Sequence, residues 1–172
     1  MVGRLCLGVT LPLLLGAAAG TEWKLFTPKD GGYSVSLPGE PTEAKQDVKT
    51  ATGNIEVTFY ALEAKDGAYV VSHSAFPESA LKGGTDDKRL DNARDGAVAS
   101  AKGRMKSEKK LTLDGFPGRE VVIETDAKGM KAVRTRIYAV NKRLFQTLVV
   151  GPKSFVQGKD ATMFLDSFKL VK

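Results

Sequence analysis

Val121-Val122-Ile123 and Leu148-Val149-Val150 bracket the stretch from Phe116 to Val150 that decides how this chain folds. It divides into three strand-forming segments, Phe116–Thr125, Lys131–Val140 and Arg143–Val150, separated by Asp126-Ala127-Lys128-Gly129 and Asn141-Lys142. Asn and Gly tolerate the left-handed backbone that tight turns need, so the pattern predicts a meander of three antiparallel strands. A strand with one buried face alternates apolar and polar residues. Consecutive apolar residues at both ends of this meander therefore predict cover on both faces.

Working outward, five further strands precede the meander in the reading. Tyr33, Val35 and Leu37 alternate with Ser34 and Ser36 until Pro38-Gly39 ends the run. Thr42–Thr50 is rich in charge and is expected at a sheet edge, where lysines discourage pairing with other chains. Ile55–Leu62 and Tyr69–Phe76 flank Asp66-Gly67, a strong hairpin signal. Between Thr85 and Met105 the period changes to that of a helix, with Leu90, Ala93, Ala97, Val98, Ala101 and Met105 on one stripe and Thr85 as N-cap. Ser107–Leu113 returns to strand, and the chain closes with a helix over Asp160–Lys169, capped by Asp160 and apolar at Phe164, Leu165 and Phe168. These two helices are the expected covers of a sheet of seven or eight strands.

Residues 1–20 stand apart from this pattern. Arg4 gives a positive start, Leu5 to Gly16 is apolar, and Gly16-Ala17-Ala18-Ala19-Gly20 supplies the small residues of a cleavage site, so the segment reads as a signal peptide. The apolar run falls short of the roughly 20 residues a bilayer span needs. Cleavage leaves residues 21–172 as a single domain, exported to the periplasm or the extracellular space, with no membrane span. The only cysteine, Cys6, leaves with the leader, which excludes disulfides and thiol chemistry from the mature chain. The net charge of +6 falls to about +5 once Arg4 is removed, leaving 25 basic against 20 acidic residues. That mildly basic surface suits weak attraction to anionic partners, and export argues against nucleic acid among them.

Motifs for chemistry are sparse. His73 is the only histidine, and alternation puts Ser72 and Ser74 on the opposite strand face, so neither can serve as its nucleophile. The expected role of His73 is that of a strand histidine with a satisfied hydrogen bond. One histidine makes a transition-metal site improbable, and no nucleotide-binding glycine motif, nucleophile elbow or EF-hand spacing occurs, so no cofactor is expected. Two basic groups remain as candidates for anion binding or docking. Lys102, Arg104, Lys106, Lys109 and Lys110 form the most one-sided charge cluster, read either as a solvated helix end or as a patch for an anionic envelope component. Arg134, Arg136 and Tyr138 share one strand face, either paired with Glu120 or Glu124 on the adjacent strand or free to grip a carboxylate or phosphate.

A family resemblance runs through Trp23, Gly32-Tyr33-Ser34-Val35-Ser36-Leu37-Pro38-Gly39-Glu40-Pro41, Asp114-Gly115-Phe116-Pro117-Gly118-Arg119-Glu120, Arg134-Thr135-Arg136-Ile137-Tyr138 and Phe164-Leu165-Asp166-Ser167-Phe168-Lys169-Leu170. Together these segments resemble the PsbP/Mog1-like superfamily over nearly the whole mature chain. The resemblance implies an α+β, three-layer sandwich: an antiparallel β-sheet with helices packed on both faces. It also implies an accessory or binding subunit, since members include an extrinsic photosystem subunit and a small-GTPase-binding protein; it carries no catalytic residue over. The expected function is thus an exported non-catalytic binding or accessory module for an unknown protein or anionic envelope component. Two alternatives stay open: a small exported hydrolase or isomerase using His73 and carboxylates, and an envelope polyanion binder through Lys102–Lys110.

Overall fold

The computed structural model describes residues 22–50, 53–81, 84–125 and 132–171. The leader expected at 1–20 and the turn expected at Asp126–Gly129 lie outside the described residues. In chain order the elements are β1 (Lys24–Phe26), β2 (Tyr33–Leu37), β3 (Thr42–Thr50), β4 (Gly53–Ala64), β5 (Gly67–Ala75), α1 (Glu78–Leu81), α2 (Asp86–Ser100), β6 (Gly103–Leu113), β7 (Phe116–Thr125), β8 (Ala132–Val140), β9 (Arg143–Gly151), α3 (Lys153–Val156), α4 (Lys159–Asp166) and β10 (Lys169–Leu170).

Seven strands form one antiparallel sheet in the order β3-β4-β5-β9-β8-β7-β6. The meander β7-β8-β9 is present, with Val121 opposite Thr135 and Thr135 opposite Leu148. Its N-terminal hairpin, β4-β5, joins it through the pairing of β5 with β9, and β3 lies at the edge beyond β4. The expected eighth strand is absent from this sheet. Instead β2 pairs with β1 and β10 in a separate three-stranded sheet, order β1-β2-β10. Tyr33, Val35 and Leu37 are all but fully buried there, because β2 packs its apolar side into the main core rather than hydrogen-bonding along the main sheet's edge.

Strand alternation sorts the cover. On β8 and β7, Val133, Ile137, Ala139, Val121 and Ile123 pack with Leu90, Ala93, Ala97, Val98 and Ala101 of α2 and its C-terminal turn. Small side chains on that stripe let the helix axis approach the strands closely. The residues of opposite parity, Tyr138 and Val140 of β8 with Phe145 and Val149 of β9, join Tyr33, Val35, Leu37, Phe164, Leu165 and Phe168 in the main core. Val156 of α3 and Ala161 of α4 belong to the same cluster.

Both helices are shorter than their sequence periodicity suggests. α2 ends at Ser100, Lys102 turns with φ 48, and β6 begins at Gly103. Met105 is consequently on a strand and 48% exposed, not on the buried stripe. Apolar spacing cannot mark the end of a helix, whereas a left-handed residue followed by glycine can. Thr85 is the N-cap as expected, its hydroxyl accepting from the Lys88 N–H at 3.2 Å. α4 stops at Asp166, its N-cap is Gly158 rather than Asp160, and Phe168 is buried from the segment leading into β10. The short helices α1 and α3 have no counterpart in the expected elements.

Candidate functional site

The Arg134–Arg136–Tyr138 face of β8 points toward α4. Register places Arg136 opposite Glu120, and the Glu120 carboxylate accepts from Arg136 Nε at 2.7 Å and from Arg134 Nη2 at 3.2 and 3.1 Å. Arg136 Nη1 also reaches Asp166 at 2.7 Å and the Leu165 carbonyl at 3.1 Å, and Arg134 Nη1 donates to Thr162. The two guanidinium groups thus lash α4 to β7 and β8. Burial pushes the Glu120 carboxyl up, but hydrogen bonds from Arg136 and Arg134 outweigh it and hold the group below the usual glutamate range. Tyr138 stacks on Phe168 and is 5% exposed. Glu124 takes a different partner, Lys153, at 2.8 Å.

The basic run falls on a turn and an edge strand, not on a helix end. β6 pairs only with β7, and a bulge between Met105 and Ser107 sets Lys106 out of register. Lys110 is registered with Arg119 on the α2 side, while Arg104 and Lys109 are registered with Glu124 and Glu120 on the other. The charges therefore project to both sides of one ridge. Among the described residues, none of Lys102, Arg104, Lys106, Lys109 and Lys110 makes an ion pair. Beside them lies a network that sequence reading missed: Arg119 bridges Asp87 at 3.2 Å, Asp91 at 2.8 Å and Glu108 at 2.6 Å, tying α2 to β6 and β7.

A third group of polar residues gathers at the far end of the sheet. A recess of about 340 Å³, where β4, β5 and β9 meet the turn before β2, has Asp30, Glu56, Thr58, His73, Ser74 and Arg143 among its lining residues. His73 shares its strand face with Tyr69 and Val71, and its ring meets Tyr33 at 5.7 Å and Tyr60 at 6.3 Å. Ser72 and Ser74 are buried on the opposite parity, as alternation requires. The expected hydrogen bond of His73 is missing: its buried Nδ1 has no partner among the described residues. Burial, then the charges of Arg143 and Lys45, lower its pKa, so the ring is neutral at pH 7. Arg143 donates from Nη2 to the Asp30 carbonyl at 3.2 Å and lies 4.8 Å from the centre of the Phe145 ring. Its place was legible as the first residue of an alternating series, Arg143, Phe145, Thr147 and Val149, that faces the core. What no spacing could show is that Asp30 and Gly32 come over it.

The arrangement offers hydrogen-bond donors and one half-buried cation, without an aligned nucleophile and base. Among the described residues, no three His, Cys, Asp or Glu side chains gather to hold a metal ion, and no helix is long and apolar enough to cross a membrane.

No family model matches the chain, and no curated protein does. Among solved structures it is similar to cyanobacterial PsbP (CyanoP) from Synechocystis, with a TM-score of 0.58 and 13% identity, covering 90% of this chain and 96% of that one. It also resembles PA94, a protein of unknown function from Pseudomonas aeruginosa, with a TM-score of 0.45 and 10% identity over 81% of this chain and 90% of that one. Seven antiparallel strands, few helices and the likeness along nearly the full length of CyanoP agree on one point: this chain has the PsbP-like fold.

Proposed function

We propose that residues 21–172 form an exported, non-catalytic accessory domain, a sandwich whose sheet carries helices on both faces, and that it docks an anionic envelope component along β6. The observation that carries this reading is the contrast between the two basic groups. Arg134 and Arg136 are engaged by Glu120 and Asp166, so docking through them would first have to displace those carboxylates, and Tyr138 next to Arg136 is buried against Phe168. Arg104, Lys106, Lys109 and Lys110 are exposed and have no ion-pair partner among the described residues. The likeness to CyanoP supports an accessory role by analogy of fold.

The test is retention on a sulfated polysaccharide matrix as salt rises. The expected result is elution by modest salt, with retention lost in Lys106→Gln/Lys109→Gln/Lys110→Gln and unchanged in a control that neutralises Lys24 and Lys29. Equal retention of both variants would refute the assignment to β6.

A hydrolase or isomerase reading has one observation in its favour: the recess brings His73 together with Asp30 and Glu56. Against it, no carboxylate among the described residues accepts from His73 Nδ1, so the ring lacks the hydrogen-bonded partner that orients a catalytic histidine for proton transfer.

A further inference from the structure

We propose that the recess between the Asp30 turn and β4, β5 and β9 is a binding site for a small monocarboxylate, gripped by Arg143. This does not rest on docking at β6, which lies at the opposite edge of the sheet.

Three buried polar atoms without partners among the described residues belong to side chains at or next to this recess: Arg143 Nε, His73 Nδ1 and Tyr33 Oη. Arg143 and His73 line the recess, and Tyr33, fully buried, stands behind them with its ring 5.7 Å from that of His73 and 5.7 Å from that of Phe145. Buried polar groups are ordinarily satisfied, so unpartnered donors beside a recess call for an acceptor. All three can donate. Burial raises the Tyr33 pKa and keeps its hydroxyl protonated, and a neutral imidazole carries one N–H.

Arg143 differs from the other half-buried arginines of the sheet. Arg119, Arg134 and Arg136 each meet a carboxylate of this chain, whereas Arg143 meets a backbone carbonyl and the face of Phe145. A half-buried guanidinium fork that meets no carboxylate of its own chain is matched by a planar carboxylate from outside. The chain also makes room for the Arg143 side chain. Gly32 has φ +69, and a side chain there would bring its Cβ to 2.7 Å from Arg143 Nη1. Asp30 and Glu56 on the lining oppose every negative charge on a ligand, so a dianion is disfavoured more than a monoanion held by Arg143. A carboxylate with a short neutral tail fits; a phosphate dianion does not.

The lone histidine provides a local probe, since in untagged protein its imidazole proton resonances are unique. Titrating the protein with acetate or propionate at constant ionic strength and pH 7.5 is expected to shift the His73 resonances saturably. Arg143→Lys keeps the charge but loses the fork, and is expected to weaken binding by about tenfold with its circular dichroism unchanged. Tyr33→Phe should weaken it several-fold and guards against misfolding of the arginine variant. Inorganic phosphate should bind at least about tenfold more weakly than acetate, given its second charge. Absence of a saturable shift, equal affinity for phosphate, or affinity unchanged in both variants would each overturn the proposal. The triple lysine variant of β6 should bind acetate as the parent does, which separates this site from the docking ridge.

Discussion

Replacing Glu120 tests whether the strap between α4 and the sheet holds the fold together. In Glu120→Ala, Arg136 loses a 2.7 Å hydrogen bond and Arg134 loses contacts of 3.2 and 3.1 Å, while Arg136 keeps Asp166 and Arg134 keeps Thr162. The carboxylate and the two guanidinium groups are 16, 17 and 14% exposed, so solvent compensates only in part. Hydrogen bonds to charged groups contribute about 1.5–3 kcal/mol each, and truncating one member of a fully buried ion pair costs about 3–5 kcal/mol. With both arginines retaining a second partner, the expected loss is about 2–4 kcal/mol for Glu120→Ala, and about 1–2 kcal/mol for Glu120→Gln, which keeps an acceptor. Urea denaturation monitored by circular dichroism reads this directly, provided the m-values agree with the parent. The sign with pH follows from the depressed carboxyl. Its stabilisation is complete above the ordinary glutamate pKa of about 4.3 and is lost as pH falls through the lower folded value, so parent and Glu120→Gln should converge only below about pH 4. A loss under about 0.5 kcal/mol for Glu120→Ala, the level of an ordinary surface change, would refute the reasoning. So would a difference from Glu120→Gln that persists unchanged into strong acid.

Three other outcomes are expected. His73 is harder to protonate folded than unfolded, so parent stability should fall as pH drops below about 6.5; His73→Gln should flatten that slope, as measured by denaturant midpoints between pH 5 and pH 7. Gly118→Ala should lower stability by at least about 2 kcal/mol, because the added Cβ would lie 2.8 Å from the Ile137 carbonyl oxygen and against the Tyr138 ring; a melting temperature within 1 °C of the parent would contradict this. Thr85→Ala removes the N-cap of α2 and should cost about 1 kcal/mol in the same urea assay, with Thr85→Ser restoring most of it.

The strand pairs were legible because their determinants are local. Turn residues and alternation specify which side chains of β7, β8 and β9 share a face, and the pairing of Arg136 with Glu120 follows from adjacent strands joined by a short connection. The α2 stripe was legible as far as Ala101. Beyond it, Met105 continued the helical period by coincidence, and the left-handed turn at Lys102 sent it to a strand. Reading the basic run as a helix end failed for the same reason.

Sequence by itself determined a mixed α+β chain built on an antiparallel meander, an edge at β3, the capped start of α2, and the separation of His73 from its neighbouring serines. These depend on residues close in the chain, where periodicity and turn chemistry act directly. Tertiary structure alone decided that β2 leaves the main sheet for β1 and β10, that Arg119 gathers three carboxylates from two elements, and that Asp30 and Gly32 close over Arg143 more than a hundred positions away. Such long-range contacts are settled by which packing buries Tyr33, Phe145 and Phe168 together, and no local pattern encodes that choice.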